Sequence, residues 1–370
     1  MAEEIAIRQT GRNLRDVARY VIGIAVGLLV LVLLFGKRAE LPAAAHQLAR
    51  ADPVWVAAAF AAEATSLLAF ALLQRRALTL SGSRLRLTGL YALALANDAI
   101  ANTVPGEPAV SSAYRYRYYR RHGASAAGAG WTIFTVIIAQ AVGMSVVLLL
   151  GVLVALAAGA GSRNTGAAAV GLVIVLPSGA VLVRRDLVLR IAAAAARGLR
   201  RLTAGKSDGV VARIESTLQR MREIPLGARS TAGLVLLAIA VWGANFCTLV
   251  CAFRAVHAPV PWAGVLLAYG VAEVVGNLPI VPGGIGIIEG SLAVVLIAYG
   301  ASRTDALPAV LAFRLVSFWS GVAAGWIAVA VLARRSRDAR PTDGPIPDTT
   351  EAAPISVETN LNRQLVSRIS

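Results

Sequence analysis

Long apolar runs separated by short basic stretches set the pattern of this chain. Runs over about 20–35, 53–73, 124–158, 166–183, 230–252 and 306–332 each predict a helix that crosses a bilayer, which takes roughly 20 apolar residues. Two further apolar segments are shorter and interrupted. Residues 88–105 carry Asn97, Asp98 and Asn102 and end at Pro105-Gly106. Residues 263–281 carry Glu273 and Asn277 and run into Pro279 and Pro282-Gly283-Gly284; an apolar run over 285–299 then holds Glu289. In both segments an acid precedes an Asn by four residues, so the two side chains share one helix face, and Pro-Gly then stops the helix. The predicted fold class is all-α: a polytopic integral membrane helical bundle with two inverted broken or re-entrant segments.

The basic stretches set the topology, because Lys and Arg stay on the cytoplasmic side. Arg75, Arg76, Arg84 and Arg86 precede the first broken segment, and Arg115-Tyr116-Arg117-Tyr118-Tyr119-Arg120-Arg121 follows it. It should therefore enter from the cytoplasm, turn at Pro105-Gly106 and return. The second broken segment follows a short loop whose only strong base is Arg254, which puts its start outside. The two would then have opposite orientation, the inverted-repeat plan of many transporters.

The expected organisation is a cytoplasmic N-terminus over 1–19 and a transmembrane domain over 20–335. That domain contains the first broken segment (88–106), a cytoplasmic basic segment (184–228) and the second broken segment (263–300). A disordered cytoplasmic tail over 336–370 follows, poor in apolar periodicity. In the basic segment Ser207 or Asp208 can cap a helix with Val211, Ile214, Leu218 and Met221 on one face. It would lie on the inner leaflet or pack on another cytoplasmic loop. The first apolar run lacks a small-residue cleavage site behind it and reads as an anchor.

Composition agrees. The chain is 57% hydrophobic with mean hydropathy +0.68, more apolar surface than a soluble domain of 370 residues buries. Aromatics are only 6%, so Ala, Val, Leu and Gly carry the packing, as suits close helix contacts. The net charge of +16 lies between the spans and matches anionic lipid rather than nucleic acid, for which no module is present. Cys247 and Cys251 share a helix face as small packing residues, and His46, His122 and His257 do not cluster, so no metal or cofactor site is expected. Gly284-Ile285-Gly286-Ile287-Ile288-Glu289-Gly290 has Glu where a dinucleotide loop needs its third Gly, and no P-loop occurs.

A carboxylate at mid-membrane costs about 2.5–3.5 kcal/mol on insertion scales, so each should face a cavity or a partner. The candidate substrate-binding residues are Asp98, Asn102, Arg115, Arg117, Glu273, Asn277, Gly283, Gly284, Glu289 and Arg314. Glu273, Glu289 and Arg314 are expected to form one buried network, and Asp98 with Arg115 or Arg117 another. The plainer alternative is a set of ion pairs that lock broken helices in place. Asn102 and Asn277 can satisfy backbone groups freed at the breaks. Half-helix N-termini suit an anionic group, and Gly283, Gly284 and Gly286 allow its close approach. Glu63 belongs to the same cavity or is a lone protonated acid.

The run Pro282-Gly283-Gly284-Ile285-Gly286-Ile287-Ile288-Glu289, with Asn277 and Pro279 before it, resembles the lysylphosphatidylglycerol synthase/flippase transmembrane family. That family typically carries Asn-x-x-Pro-x-x-Pro-Gly-Gly-x-Gly followed by a Glu; here Pro279 stands one residue early. Its first-half motif is similar to Asn102, Pro105, Gly106, Arg115 and Gly123, and an Arg like Arg314 in the last span is usual. The resemblance covers roughly 15–335. It implies a multi-pass bacterial plasma-membrane protein with both termini cytoplasmic. It would move a phospholipid or polyprenyl-linked lipid between leaflets.

Synthase members append a large soluble aminoacyl-transfer domain and this chain ends in a short tail, so a flippase-like module rather than an enzyme is expected. The leading expectation is a lipid flippase or lipid-linked-precursor transporter for an anionic headgroup. The alternatives are a non-transporting membrane partner of an envelope-lipid enzyme, or a lipid-linked transferase. The partners to consider are the membrane, its lipid substrate, a second copy of the chain and such an enzyme.

Overall fold

The computed structural model describes residues 46–104, 107–159, 227–277 and 282–338. The expected span over 20–35, the span over 166–183 and nearly all of the basic segment lie outside them, as does the tail beyond Asp338. All regular structure among the described residues is helical. In chain order these are α1 Pro53–Leu80, α2 Leu87–Thr103, α3 Glu107–Arg121, α4 Ala126–Ala157, α5 Ala228–Ala255, α6 Val265–Gly276, α7 Ile287–Ala298, α8 Arg303–Arg314 and α9 Gly321–Asp338. A 3₁₀ turn over Pro282–Gly284 separates α6 from α7, and a π turn over Leu315–Ser320 joins α8 to α9. Among the described residues four stretches are long and apolar enough to cross a membrane: α1, α4, α5 and the continuous run Arg303–Arg334. Residues Val331–Ser370 separate as a second unit, of which the end of α9 is described.

Local chemistry sets the helix ends. Asp52 caps α1 by accepting from the Val54 N–H at 2.8 Å, with Pro53 in the first turn where its missing N–H costs nothing. Ser125 caps α4 through the Gly128 N–H at 3.0 Å, and Ser302 caps α8 through the Asp305 N–H at 3.1 Å. Both broken segments are helical up to their breaks. The first stops at Thr103 and the second at Gly276, before their Pro-Gly runs.

Small residues let the helices approach closely, as expected where lipid removes much of the hydrophobic drive between them. Gly143 of α4 lies against Ala238 of α5, and Gly151 of α4 lies against the backbone of Leu267 in α6. α1 packs along α5, α4 is the most enclosed span, and α6 and α7 form a hairpin against α4 and α8. The largest core joins Leu249, Phe253, Tyr269, Leu292, Leu296 and Phe313. Outward-facing apolar side chains such as Leu153, Leu236, Val294 and Ile327 are exposed, as lipid-facing positions are.

Candidate functional site

The second break is built on three glycines. Gly283, Gly284 and Gly286 have φ of +65°, +60° and +83°, conformations that residues with a Cβ adopt only under strain. The turn they make carries the chain from α6 to α7, and Glu289 then closes it. Its Oε2 accepts from the Gly286 N–H at 2.6 Å, capping α7 from within its first turn.

Arg314, at the end of α8, clamps this turn. Its Nε donates to Glu289 Oε1 at 2.6 Å and its Nη2 donates to the Gly283 carbonyl at 2.9 Å. The guanidinium also lies 4.3 Å from the centre of the Phe318 ring, which sits in the π turn. Both Arg314 and Glu289 are buried. Such a pair is costly to desolvate and costly to break, so it fixes geometry more than it adds stability.

The first break meets the second at this point. The Asn102 carbonyl lies beside Gly283, and Asp98 lies against Gly321 of α9. One helical turn on, Gly325 receives Leu95 and Ala99, so the face of α2 that carries Asp98 is seated on a small-residue stripe of α9. Asn102 Nδ2 donates to the Asp98 carbonyl at 3.0 Å and to its carboxylate at 3.1 Å. Asn277 Nδ2 donates to the Glu273 carbonyl at 2.7 Å. The two motifs thus share a local geometry, in which the Asn caps the backbone of the acid one turn earlier.

Asp98, Glu273, Glu289 and Arg314 form one electrostatic group. The charge of Arg314 reaches both Asp98 and Glu273, and Glu273 also faces Glu289. The charge that reaches Asp98 is that of Arg314, the expected partners being Arg115 or Arg117 on α3, and the Asp98 side chain lies against the last span at Gly321. Arg117 is exposed on α3. Arg115 is buried on the opposite side of the first break, near Ser112. Asn277 ends α6 exposed, and Gly284 is buried beneath Ile288. Among the described residues no three His, Cys, Asp or Glu side chains cluster as a metal would require.

Two polar networks escaped sequence reasoning. In the first, Glu63 Oε2 in α1 accepts from Asn245 Nδ2 at 2.8 Å and Thr248 Oγ1 at 3.3 Å, both in α5. Asn245 Oδ1 accepts from the Tyr269 hydroxyl at 2.8 Å, and Tyr269 precedes Glu273 by one turn of α6. Asn245 and Thr248 stand three apart in an apolar run, a spacing that marks one helix face and could have exposed the network. In the second, the Tyr119 hydroxyl donates to Gln74 Oε1 at 2.5 Å, tying α3 to α1. Burial pushes the Tyr119 phenol well above its ordinary range, against the pull of Arg115.

A family model described as the lysylphosphatidylglycerol synthase TM region matches residues 20–325, a stretch that includes every residue of these networks. No curated protein matches the chain. The described helices and this match make it a membrane-embedded protein of lipid-related type.

Proposed function

From the premise that this chain belongs to the lysylphosphatidylglycerol synthase TM region family, we propose that it moves a polar lipid headgroup between leaflets. The headgroup is the anionic moiety of a phospholipid or a polyprenyl-linked lipid. It travels along the seam between the two broken segments while the acyl or prenyl tails stay in lipid. We place the protein in a bacterial plasma membrane with both termini cytoplasmic, its two broken segments inverted with respect to each other. The candidate substrate-binding residues keep that role here.

One observation carries this reading: the two breaks meet at Gly283, and Arg314 clamps the turn of the second. Arg314 is bound both to Glu289 and to the Gly283 carbonyl, and the Asn102 carbonyl lies against the same glycine. A headgroup phosphate that competes for Arg314 would release the turn. Glu289 would keep its second bond, to the Gly286 N–H. Arg favours phosphate because its planar donors meet two oxygens at once. Irregular backbone at membrane depth is tolerated where it lines such a cavity or is buried in protein.

The test is a leaflet-resolved translocation assay in proteoliposomes over a panel of anionic phospholipids and polyprenyl phosphates. Arg314→Ala and Glu273→Gln should insert normally and slow translocation at least tenfold. Wild-type rates in both variants, or no translocation of any lipid on the panel by the unaltered protein, would overturn the proposal. The second outcome would favour a non-transporting membrane partner.

A further inference from the structure

We propose that Glu63 is a proton-exchange site, wired through Asn245 and Tyr269 to the α6 half-helix that carries Glu273. This deepens the transport reading and rests on it, since the proton is assigned the role of coupling ion.

Four carboxylates, those of Glu63, Asp98, Glu273 and Glu289, act on one another in sequence through the middle of the bundle. Among the described residues Arg314 is the guanidinium that acts on this group, and Glu289 already holds it at 2.6 Å. The charge of Arg314 extends to Asp98 and Glu273. Among the described residues the charges that act on Glu63 are those of the carboxylates Asp98 and Glu273. Its direct partners, Asn245 and Thr248, are neutral. A carboxyl group in an apolar span is costly and must face a cavity or a partner.

The geometry prepares one oxygen for that proton. Both donors, Asn245 Nδ2 and Thr248 Oγ1, point at Oε2. Among the described residues none donates to Oε1. A proton can therefore bind Oε1 and leave while both bonds to Oε2 persist, so exchange needs no repacking of α5. The Asn245 amide is oriented by its other end, where Oδ1 accepts from the fully buried Tyr269 hydroxyl. Charge on Glu63 strengthens the Asn245 bond and, through the polarised amide, the Tyr269 bond. Neutralising Glu63 weakens both. Tyr269 and Glu273 lie on one face of α6, the helix that ends at the second break, so the state of Glu63 bears on the element that must move.

The titratable and charged groups facing Glu63 from its neighbours are these. α2 supplies Tyr91 and Asp98, and α6 supplies Tyr269 and Glu273. α5 supplies Cys247, whose influence falls on Tyr269. α8 supplies Arg314, acting through Asp98 and Glu273. α4 has no titratable side chain.

The test reads the proton directly. Full-length protein in lipid nanodiscs is stepped in pH while the infrared carboxylic-acid C=O band is followed. The wild type should show a band that appears on acidification and shifts in D₂O, lost in Glu63→Gln. Tyr269→Phe keeps the carboxyl and both direct donors, and should shift the band. It guards against a Glu63 variant that fails to fold. A band unchanged in folded Glu63→Gln, or a wild type with no titrating acid band, overturns the proposal, as does a band unmoved in Tyr269→Phe. In proteoliposomes, Glu63→Gln should abolish the response of translocation to an imposed pH gradient while gradient-free exchange stays within twofold; a retained response also overturns it. If the unaltered protein moves no lipid, the transport reading fails, while the infrared result still decides whether Glu63 exchanges a proton.

Discussion

The carbonyl of Asn102 lies so close to Gly283 that a Cβ on that glycine would come within 2.8 Å of it. These residues belong to different broken segments and are 181 positions apart in the sequence. Their contact joins the two broken segments. Gly283 also has φ +65°, and the Phe318 ring too crowds the place of its Cβ, so three constraints exclude a side chain there.

Gly283→Ala should therefore destabilise strongly. A left-handed backbone costs a residue with a Cβ about 1–2 kcal/mol, and overpacking adds about 1–3 kcal/mol. Gly82 provides the control. It has φ +85° but nothing within 4 Å of an added Cβ, so Gly82→Ala carries the backbone cost alone. Thermal denaturation of the two variants in one detergent should place Gly283→Ala clearly below Gly82→Ala. Equal midpoints would mean that the breaks do not touch as described.

The Arg314–Glu289 pair is expected to behave as a buried unit. Removing one partner strands the other, at a cost of about 3–5 kcal/mol. Glu289→Gln should be milder than Arg314→Ala, because the amide oxygen can still accept from Gly286 or Arg314. Arg314→Lys should restore charge but not the two-point grip on Glu289 and the Gly283 carbonyl. Thermal midpoints should therefore rank wild type, Glu289→Gln, Arg314→Lys, Arg314→Ala. Destabilisation by Arg314→Lys no greater than by Glu289→Gln would remove the carbonyl bond from the account.

Two glycines on one face of α9 should separate stability from function. A Cβ on Gly325 meets the Leu95 carbonyl, a backbone atom that cannot yield, so Gly325→Ala should lower the melting midpoint. A Cβ on Gly321 meets only the end of the Asp98 side chain, 2.5 Å away, which can swing aside. Gly321→Ala should keep near wild-type stability and, by displacing Asp98, slow lipid translocation. A variant as active as wild type would show that the position of Asp98 is unimportant.

Much of this was legible in the chain because helix and break signals are local. The apolar runs located the described spans, and α2 and α6 stop where Pro-Gly follows. α1 runs past its apolar stretch through Gln74, Arg75 and Arg76 to Leu80, because long polar side chains do not stop a helix; Ser81 and Gly82 do. The tertiary pairings had no such signal. Nothing near Asp98 marks Arg314 as its cation. The Tyr/Arg stretch reads as a basic stretch on the cytoplasmic side, yet Ser111, Arg115 and Tyr119 are all buried. Their four-residue spacing was visible, but charge masked it.

That buried face yields the last prediction. Gln74 is fully enclosed; its Oε1 accepts from Tyr119 and its Nε2 has no hydrogen-bond partner among the described residues. Tyr119→Phe would leave the whole amide unsatisfied, at a cost of about 1–3 kcal/mol. Gln74→Leu removes both amide needs and strands only the Tyr119 hydroxyl. In the double variant no stranded polar group remains at this contact, and replacing both partners by apolar groups of similar shape is close to neutral. Thermal denaturation should therefore place Gln74→Leu/Tyr119→Phe above Tyr119→Phe and near wild type. A double variant as unstable as the sum of its singles would show that α3 is held by something other than this bond.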